Sequence, residues 1–310
     1  MSIAPALAIT VPQAPAPPRW ALWGSFAVIF LVWGSTFLGI KVAVETIPPL
    51  TMAAVRFLVA GGVLMALSAR ARPRPTIEEW RNSALVAALF FLGNHGLVNF
   101  AAPHLPSGLA SLIISTEVAL IALFSAALLP GHRLTRLQVL GAVVGLAGVS
   151  VLFLGASGSA DVSLLAVASV LGASVFWSLG AVLSQRLGLP GDPLLRAGTQ
   201  MIAGGAMLSL ASVLRGEPFA LELAAVSNRS LVALAYLIVF GSVLAFGCYV
   251  YLLKHVRADA VATHVFVNPL VAVVVGAWLA GEQLHREHLF AGLLILVSVA
   301  VLLASQRRRI

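Results

Sequence analysis

The sequence predicts an all-α, polytopic membrane protein: ten transmembrane helices set as two inverted five-helix repeats around a central cavity. Three observations carry that expectation. Of 310 residues 60% are apolar and 10% charged, where a soluble domain carries about a quarter charged residues. Apolar runs long enough to cross a bilayer recur ten times. The two halves of the chain also present matching residues in the same order.

With a mean hydropathy of +1.01, the apolar surplus exceeds what one buried core can hold, and lipid is the solvent that accepts it. The formal charge of +8 does not point to nucleic acid, because the arginines lie between apolar runs and at the C-terminus rather than on a basic face interleaved with aromatics. Cys248 is the single cysteine, which excludes an intramolecular disulfide framework or a thiolate metal cage and suits a small apolar filler.

A membrane helix needs roughly 20 apolar residues at 1.5 Å rise per residue. The spans are expected near 21–46, 51–69, 82–102, 108–129, 136–155, 162–186, 194–214, 231–253, 259–280 and 288–305. Turn chemistry or charge separates them: Pro48-Pro49, Arg70 to Glu79, Pro103 to Pro106, Pro130-Gly131, Gly155 to Asp161, Pro190 to Pro193, Arg215 to Pro218, Lys254 to Asp259, and Gly281-Glu282. The first eighteen residues hold five prolines and no basic residue, unlike a secretory signal peptide. Residues 1–19 are therefore expected as a disordered tail, 20–157 and 158–306 as the repeats, and 307–310 as a basic cytoplasmic tail.

Lys and Arg favour the cytoplasmic side. An N-terminus inside places fourteen of them in cytoplasmic segments, among them Arg74, Arg81, Arg196 and Arg309, against Lys41, Arg215, Arg229 and Arg286 outside. Losing one span would reverse every later loop, so both termini are expected in the cytoplasm.

An offset of 144 places Trp33 on Trp177, Pro49 on Pro193, Gly61 on Gly205 and Ser68 on Ser212. An offset of 150 places Gly131 on Gly281, Arg136 on Arg286, Leu146 on Leu296 and Val149 on Val299. An odd number of spans per repeat makes the second copy enter from the opposite side, the arrangement of secondary transporters with a site near the midplane.

The run Trp33-Gly34-Ser35-Thr36-Phe37, the pair Arg56-Phe57, and Gly281-Glu282-Gln283-Leu284 after the ninth span resemble the drug/metabolite transporter superfamily, in its EamA-type branch. The resemblance spans Trp20 to Ser305 and implies a ten-helix basket that exports small metabolites such as amino acids. Asn94-His95-Gly96, Glu117 and the length are more similar to the YddG-like amino-acid exporter group than to nucleotide-sugar carriers. Two departures stand out. Gly131-His132 occupies the place of the family's Gly-Glu, and Ala119 that of a common proline, whereas Asn268-Pro269 is kept.

Polar groups at membrane depth are costly and should turn toward a cavity or a partner. Glu117 is either a proton carrier or amine partner, or a structural acid bonded to a neighbouring helix. His95 and Asn99, and again His264 and Asn268, are four apart and share helix faces; Asn94 stands beside the first pair. Asn268-Pro269 removes a backbone hydrogen bond and frees a carbonyl for water, substrate or another helix. Trp33 and Trp177 could stack on substrate or simply pack, and Tyr249 is a weaker candidate near the cytoplasmic interface. Lys41, Glu45 and Arg56 are expected toward the outer ends of adjacent spans, as a gate or structural ion pair. Gly141, Gly145, Gly148 and Gly204-Gly205 allow close helix contact.

No Walker loop, His-Glu-x-x-His or paired-carboxylate cluster is present. His285-Arg286-Glu287-His288 reads as a solvated turn and Ser107-Gly108 as a loop without a partner histidine. No enzyme activity, cofactor, metal or nucleic acid is expected. The expected partners are a small-molecule substrate, membrane lipid and protons as a coupling ion, with the chain a monomer or homodimer. The function expected is secondary-active or facilitative export of neutral or aromatic amino acids, or related amphipathic compounds, across the bacterial inner membrane by alternating access. The alternatives are a carrier of nucleosides, sugar phosphates or cationic drugs, or a channel or scaffold.

Overall fold

Proline opens each of the first two spans. Helix α1 covers Arg19–Ala43 and α2 covers Pro49–Leu67; Pro49 stands at the first position of α2, where its missing N–H costs nothing. This computed structural model describes residues 18–69, 74–131, 133–156, 163–256, 261, 264–282 and 286–307. Helix α3 is composite: Ile77–Ala87 is α-helical, Ala88–His95 π-helical, Gly96–Ala101 α-helical again and Ala102–His104 a 3-10 turn. Helix α4 (Ser107–Leu128) is interrupted between Ile114 and Glu117. Helices α5 (Arg136–Ala156), α6 (Leu164–Leu183) and α7 (Pro193–Leu214) are continuous. Helix α8 passes from Asn228–Tyr236 through π-helical Leu237–Leu244 into Ala245–His255. Helices α9 (His264–Ala280) and α10 (Arg286–Arg307) complete the chain.

Among the described residues there is no strand. Seven helices are long and apolar enough to cross a membrane, while α5, α9 and α10 contribute shorter apolar stretches, Arg136–Gly148, Val267–Ala280 and Leu289–Val301. Each expected span thus coincides with a helix. The tail before Pro18 and the last three residues lie outside the described residues, as do His132 and His285.

Two boundaries differ from the sequence expectation. Helix α3 begins at Ile77 rather than 82 because Thr76 and Glu79 form a reciprocal capping box: Glu79 N–H donates to Thr76 Oγ1 at 3.2 Å and Thr76 N–H to Glu79 Oε2 at 2.7 Å. Helix α4 breaks at Ser115-Thr116, whose hydroxyls donate back to the carbonyls of Ser111 and Ile113 and compete with the helical ladder.

The apolar residues face outward as well as inward. Leu146 is 66%, Leu214 77% and Trp278 83% exposed, the surface of a protein solvated by hydrocarbon.

The halves pack as an approximate two-fold pair. Helix α2 lies along α7 and α5 along α10, while α1 meets α8 and α9 as α6 meets α3 and α4. The contacts are reciprocal at the residue level. The offset that aligns Gly61 with Gly205 also aligns Leu58 with Ile202, and a Cβ on Gly61 would meet Ile202 just as one on Gly205 would meet Leu58. In the same way Gly145 faces Ser298 while Gly148 faces Ile295. Small residues let these backbones approach. The two π-helical segments, Ala88–His95 and Leu237–Leu244, occupy corresponding places in the third helix of each half.

Helix ends are capped across the interface between halves. The carboxylate of Glu282, beyond α9, accepts the backbone N–H of Ser107 at 2.9 and 3.0 Å, the Ser107 hydroxyl at 2.8 Å and Lys41 Nζ at 2.7 Å. It thereby caps the positive N-terminus of α4 and ties it to α1. Gly276 makes room, since a Cβ there would collide with the carboxylate. Glu217 caps α2 likewise, accepting Thr51 N–H at 2.8 Å, while the Thr51 and Ser212 hydroxyls, 2.6 Å apart, bond each other and leave one proton for the carboxylate. Ser227 accepts Ser230 N–H to start α8, and the Ser230 hydroxyl donates to Val42 O of α1 at 2.9 Å. All these ends lie on the face where α1 leaves the membrane.

The Glu282 side chain is 6% and Lys41 30% exposed, so the two ends of this ion pair should not cost the same. Glu282→Ala strands two Ser107 donors and a cation and is expected to destabilise by about 3–5 kcal/mol. Lys41→Ala, whose ammonium reaches solvent, is expected to lose about 1 kcal/mol. Thermal midpoints in detergent check the order; equal losses would show that the cap on α4 does not matter.

Burial alone would raise the Glu282 carboxyl, but hydrogen bonds from Lys41 and Ser107 outweigh it and hold the group below its ordinary value. A depressed folded value gives stability that is complete above the unfolded carboxylate value of about 4.3 and is lost as pH falls through the folded one. The Glu282 contribution to the midpoint is therefore expected to stay constant from neutral pH to about 5 and to vanish only below about 4. A midpoint difference between wild type and Glu282→Gln that already shrank between pH 7 and 5 would contradict this.

Candidate functional site

The interior polar and aromatic residues gather around the two π-helical segments. A π turn widens the helix and loosens its backbone bonding, and such turns occur often at functional sites. Trp33 of α1 packs against the segment in α8: its Nε1 donates to Gly241 O at 3.1 Å. Its ring lies 5.3 Å from Tyr249 and 5.1 Å from His264 by centroids, and those two are 6.1 Å apart. Trp177 of α6 packs against the segment in α3, 4.4 Å from Phe90 and 6.3 Å from His95. The paired tryptophans thus hold corresponding positions in two aromatic clusters with different partners. Tyr249 belongs to the first cluster, because α8 turns its 249 position toward Trp33 of α1 and His264 of α9.

His95 is wrapped by Phe57 at 4.7 Å and Phe91 at 5.8 Å. Its Nδ1 is buried without a hydrogen-bond partner, and so is Oδ1 of Asn99, a residue only 1% exposed. On the expected His95/Asn99 face Asn99 is buried and His95 is half-buried, and the two side chains do not bond each other. Asn94 turns away from this pair toward α6 and α4, donating to Ala173 O at 2.9 Å and to Glu117 Oε1 at 3.5 Å. Glu117 stands at the start of the second half of α4, where Ser178 of α6 donates to its backbone carbonyl at 3.3 Å. Glu117 is thus tied to α3 and α6 by neutral groups, with no cation on it among the described residues.

His264 holds its own helix start, with Nδ1 2.9 Å from Val261 O. The carbonyls around Pro269 find protein partners. Ser115 Oγ, at the break in α4, shares its one proton between Ser111 O at 3.2 Å and Val265 O at 3.3 Å, the latter being the acceptor that Pro269 cannot serve. In the amide orientation that satisfies both ends, Asn268 donates to Phe30 O at 3.3 Å and His264 O at 3.1 Å. Of the options open for the freed carbonyl, a neighbouring helix takes it. Ser115 and Val265 correspond across the halves, so this contact lies on the approximate two-fold axis.

The trio Lys41, Glu45 and Arg56 does not form a joint ion pair, which corrects the sequence expectation. Lys41 binds Glu282. Glu45 faces Arg229 at 3.6 Å, with both side chains exposed, a rim contact worth little. Arg56 is not at an outer end; it is 5% exposed, its Nε donates to Ser242 Oγ at 2.9 Å and its Cζ lies 4.9 Å from the Phe57 ring centre. The helix places it seven residues into α2, deep enough for α8 to cover it.

Phe90, Phe91, Gly241 and Ser242 line these clusters and carried no signal in the sequence, where Phe57 entered only as half of the Arg56-Phe57 pair. An aromatic residue in an apolar run looks like filler, and nothing in the periodicity marks a π turn. Among the described residues no three His, Cys, Asp or Glu side chains approach closely enough to hold a metal. A separate apolar groove of about 670 Å³ opens to the surface between α1, α2 and α8, lined by Trp20, Gly24, Leu67, Leu244, Gly247 and Tyr251 among others; it contains none of the expected site residues.

Residues 18–154 and 164–304 each match the EamA-like transporter family. The chain is 34% identical over 286 residues to the inner membrane transporter YedA of Escherichia coli K12, covering 91% of this chain and 90% of that one. It is 30% identical to the transporter YvbV of Bacillus subtilis over 90% of each chain. A protein of Salmonella typhimurium named a probable amino-acid metabolite efflux pump is 24% identical over 88% of this chain and 92% of its own. One solved crystal structure has the same fold, with a TM-score of 0.62 at 23% identity over 94% of this chain and 99% of the other. Two matched halves, ten helices around paired aromatic clusters and these relatives place the chain in the EamA-like transporter family, within the drug/metabolite transporter superfamily: it is a membrane transporter.

Proposed function

We propose that this transporter exports small amphipathic metabolites, neutral or aromatic amino acids among them, across the bacterial inner membrane by alternating access. The observation that carries the reading is the pair of aromatic clusters, Trp33 with Tyr249 and His264, and Trp177 with Phe90 and His95. Aromatic faces accept an apolar or cationic body, and the adjacent amides and imidazoles can accept or donate to its polar end. Each cluster is shared between the halves, so rocking one half against the other would remake both walls of the chamber. The efflux-pump name of the Salmonella relative supports the direction and the substrate class.

The Lys and Arg asymmetry supports both termini in the cytoplasm, an orientation in which the Glu282 and Glu217 caps lie on the periplasmic face. Cysteines introduced at 74 and 309 in a Cys248→Ser background should both be labelled from the cytoplasm only; labelling from opposite sides would end the ten-span arrangement.

In liposomes, labelled tryptophan, phenylalanine and leucine are expected to give saturable flux that an internal excess of the same amino acid exchanges. Flux that stays linear with concentration would indicate a channel, and none at all would sink the amino-acid reading. Glu117 is the proposed proton carrier, since it is the carboxyl at membrane depth with only neutral partners among the described residues. Glu117→Gln preserves the bond from Asn94 and is expected to keep exchange within about threefold while abolishing the response to a pH gradient, as loss of one proton-transfer group does. An unchanged pH response would return Glu117 to a structural role.

A further inference from the structure

We propose that Arg56 is the anion anchor of the transport site and that the substrate it recognises carries a carboxylate. This rests on the reading of the chain as a transporter of amphipathic metabolites and narrows its substrate class. Arginine stays charged in proteins and presents five N–H donors. Ser242 takes the Nε–H at 2.9 Å, and no other hydrogen bond to the guanidinium forms among the described residues. The ion pairs among those residues are Lys41 with Glu282, Arg81 with Glu78 and Arg229 with Glu45, so none neutralises it. The residue is nonetheless 5% exposed. A desolvated, unpaired cation is among the costliest groups a membrane interior can hold, and a fold that keeps one in this place leaves its charge for something that arrives.

The geometry is suited to that arrival. With Nε fixed by Ser242, the two terminal nitrogens carry no hydrogen bond among the described residues, and they form the edge that pairs bidentately with a carboxylate. Its Nη2 lies against Gly241, 3.4 Å from where a Cβ would stand, and the Gly241 carbonyl holds Trp33 Nε1. The fork is therefore beside the Trp33 cluster, and the face of Phe57 continues from it to His95. A ligand bound here would set its carboxylate on the guanidinium and its body on these rings. A second observation points the same way: His95 Nδ1 and Asn99 Oδ1 are buried and unpartnered, so polar atoms that the protein does not supply are missing on the His95 side of Phe57 too. The cation also argues against a cationic drug, which it would repel.

Purified protein in detergent, titrated in a thermal-shift assay with phenylalanine, phenylalanine amide, 3-phenylpropionate and inorganic phosphate, tests the assignment. Wild type is expected to bind a carboxylate at least about tenfold more tightly than the amide, as a charge-assisted pair implies. In Arg56→Gln that preference should collapse toward unity, and Arg56→Lys should retain it with weaker binding. Equal binding of acid and amide by wild type, stabilisation by phosphate but no carboxylate, no stabilisation by any carboxylate, or an undiminished preference in Arg56→Gln would each overturn the proposal. The wild-type acid and amide comparison decides the matter even if Arg56→Gln does not fold. Binding of 3-phenylpropionate without phenylalanine would leave the anchor standing and remove the amino-acid reading instead.

Discussion

Hydrocarbon offers no hydrogen bond, so every backbone group freed at a helix end or kink must be met by the protein itself. This constraint explains why the two halves are joined where they are. The N–H of Ser107 at the start of α4 goes to Glu282, that of Thr51 in α2 to Glu217, and the carbonyl of Val265 freed by Pro269 to Ser115. In each case the partner comes from the other half of the chain. The residues that terminate the spans are thus also the residues that register one half against the other.

Around that polar stitching, the helix crossings are set by small residues in reciprocal positions. Gly61 opposite Ile202 and Gly205 opposite Leu58 form one contact made twice, as do Gly145 opposite Ser298 and Gly148 opposite Ile295. Without a hydrophobic force between helices in lipid, close van der Waals fit of this kind supplies the association. The symmetry stops at the interior. Trp33 meets Tyr249 and His264, whereas Trp177 meets Phe90 and His95. The scaffold is duplicated while the partners of the two tryptophans are not.

Charge follows the same division. At the rim, Arg229 with Glu45 is an exposed pair of modest effect, while Glu282 is buried and answered by Lys41 and Ser107. Inside, among the described residues, the Glu117 carboxylate meets Asn94 as its one hydrogen-bond partner and the Arg56 guanidinium meets Ser242. A fold under selection only for stability would pair or remove such groups. Arg56 stands against the Phe57 ring of the second aromatic cluster, the placement on which the proposed anchor rests.

What the sequence determined by itself was everything that depends on composition and local pattern. Ten apolar runs require ten helices in lipid, the repeated Trp, Pro and Gly positions announce the duplication, and the arrangement of spans follows from an odd number per half. The tertiary structure decided the chemistry of individual residues, because each choice depends on what a distant segment brings alongside. Lys41 found Glu282, more than 200 positions away, rather than its neighbour Glu45. Arg56 was drawn under α8 instead of to an outer end. Asn94 left His95 for Glu117, and the π turns that seat Trp33 and Phe90 have no periodicity in an all-apolar run to betray them. Burial and pairing are properties of two surfaces meeting, and a chain read one residue at a time holds only one of them.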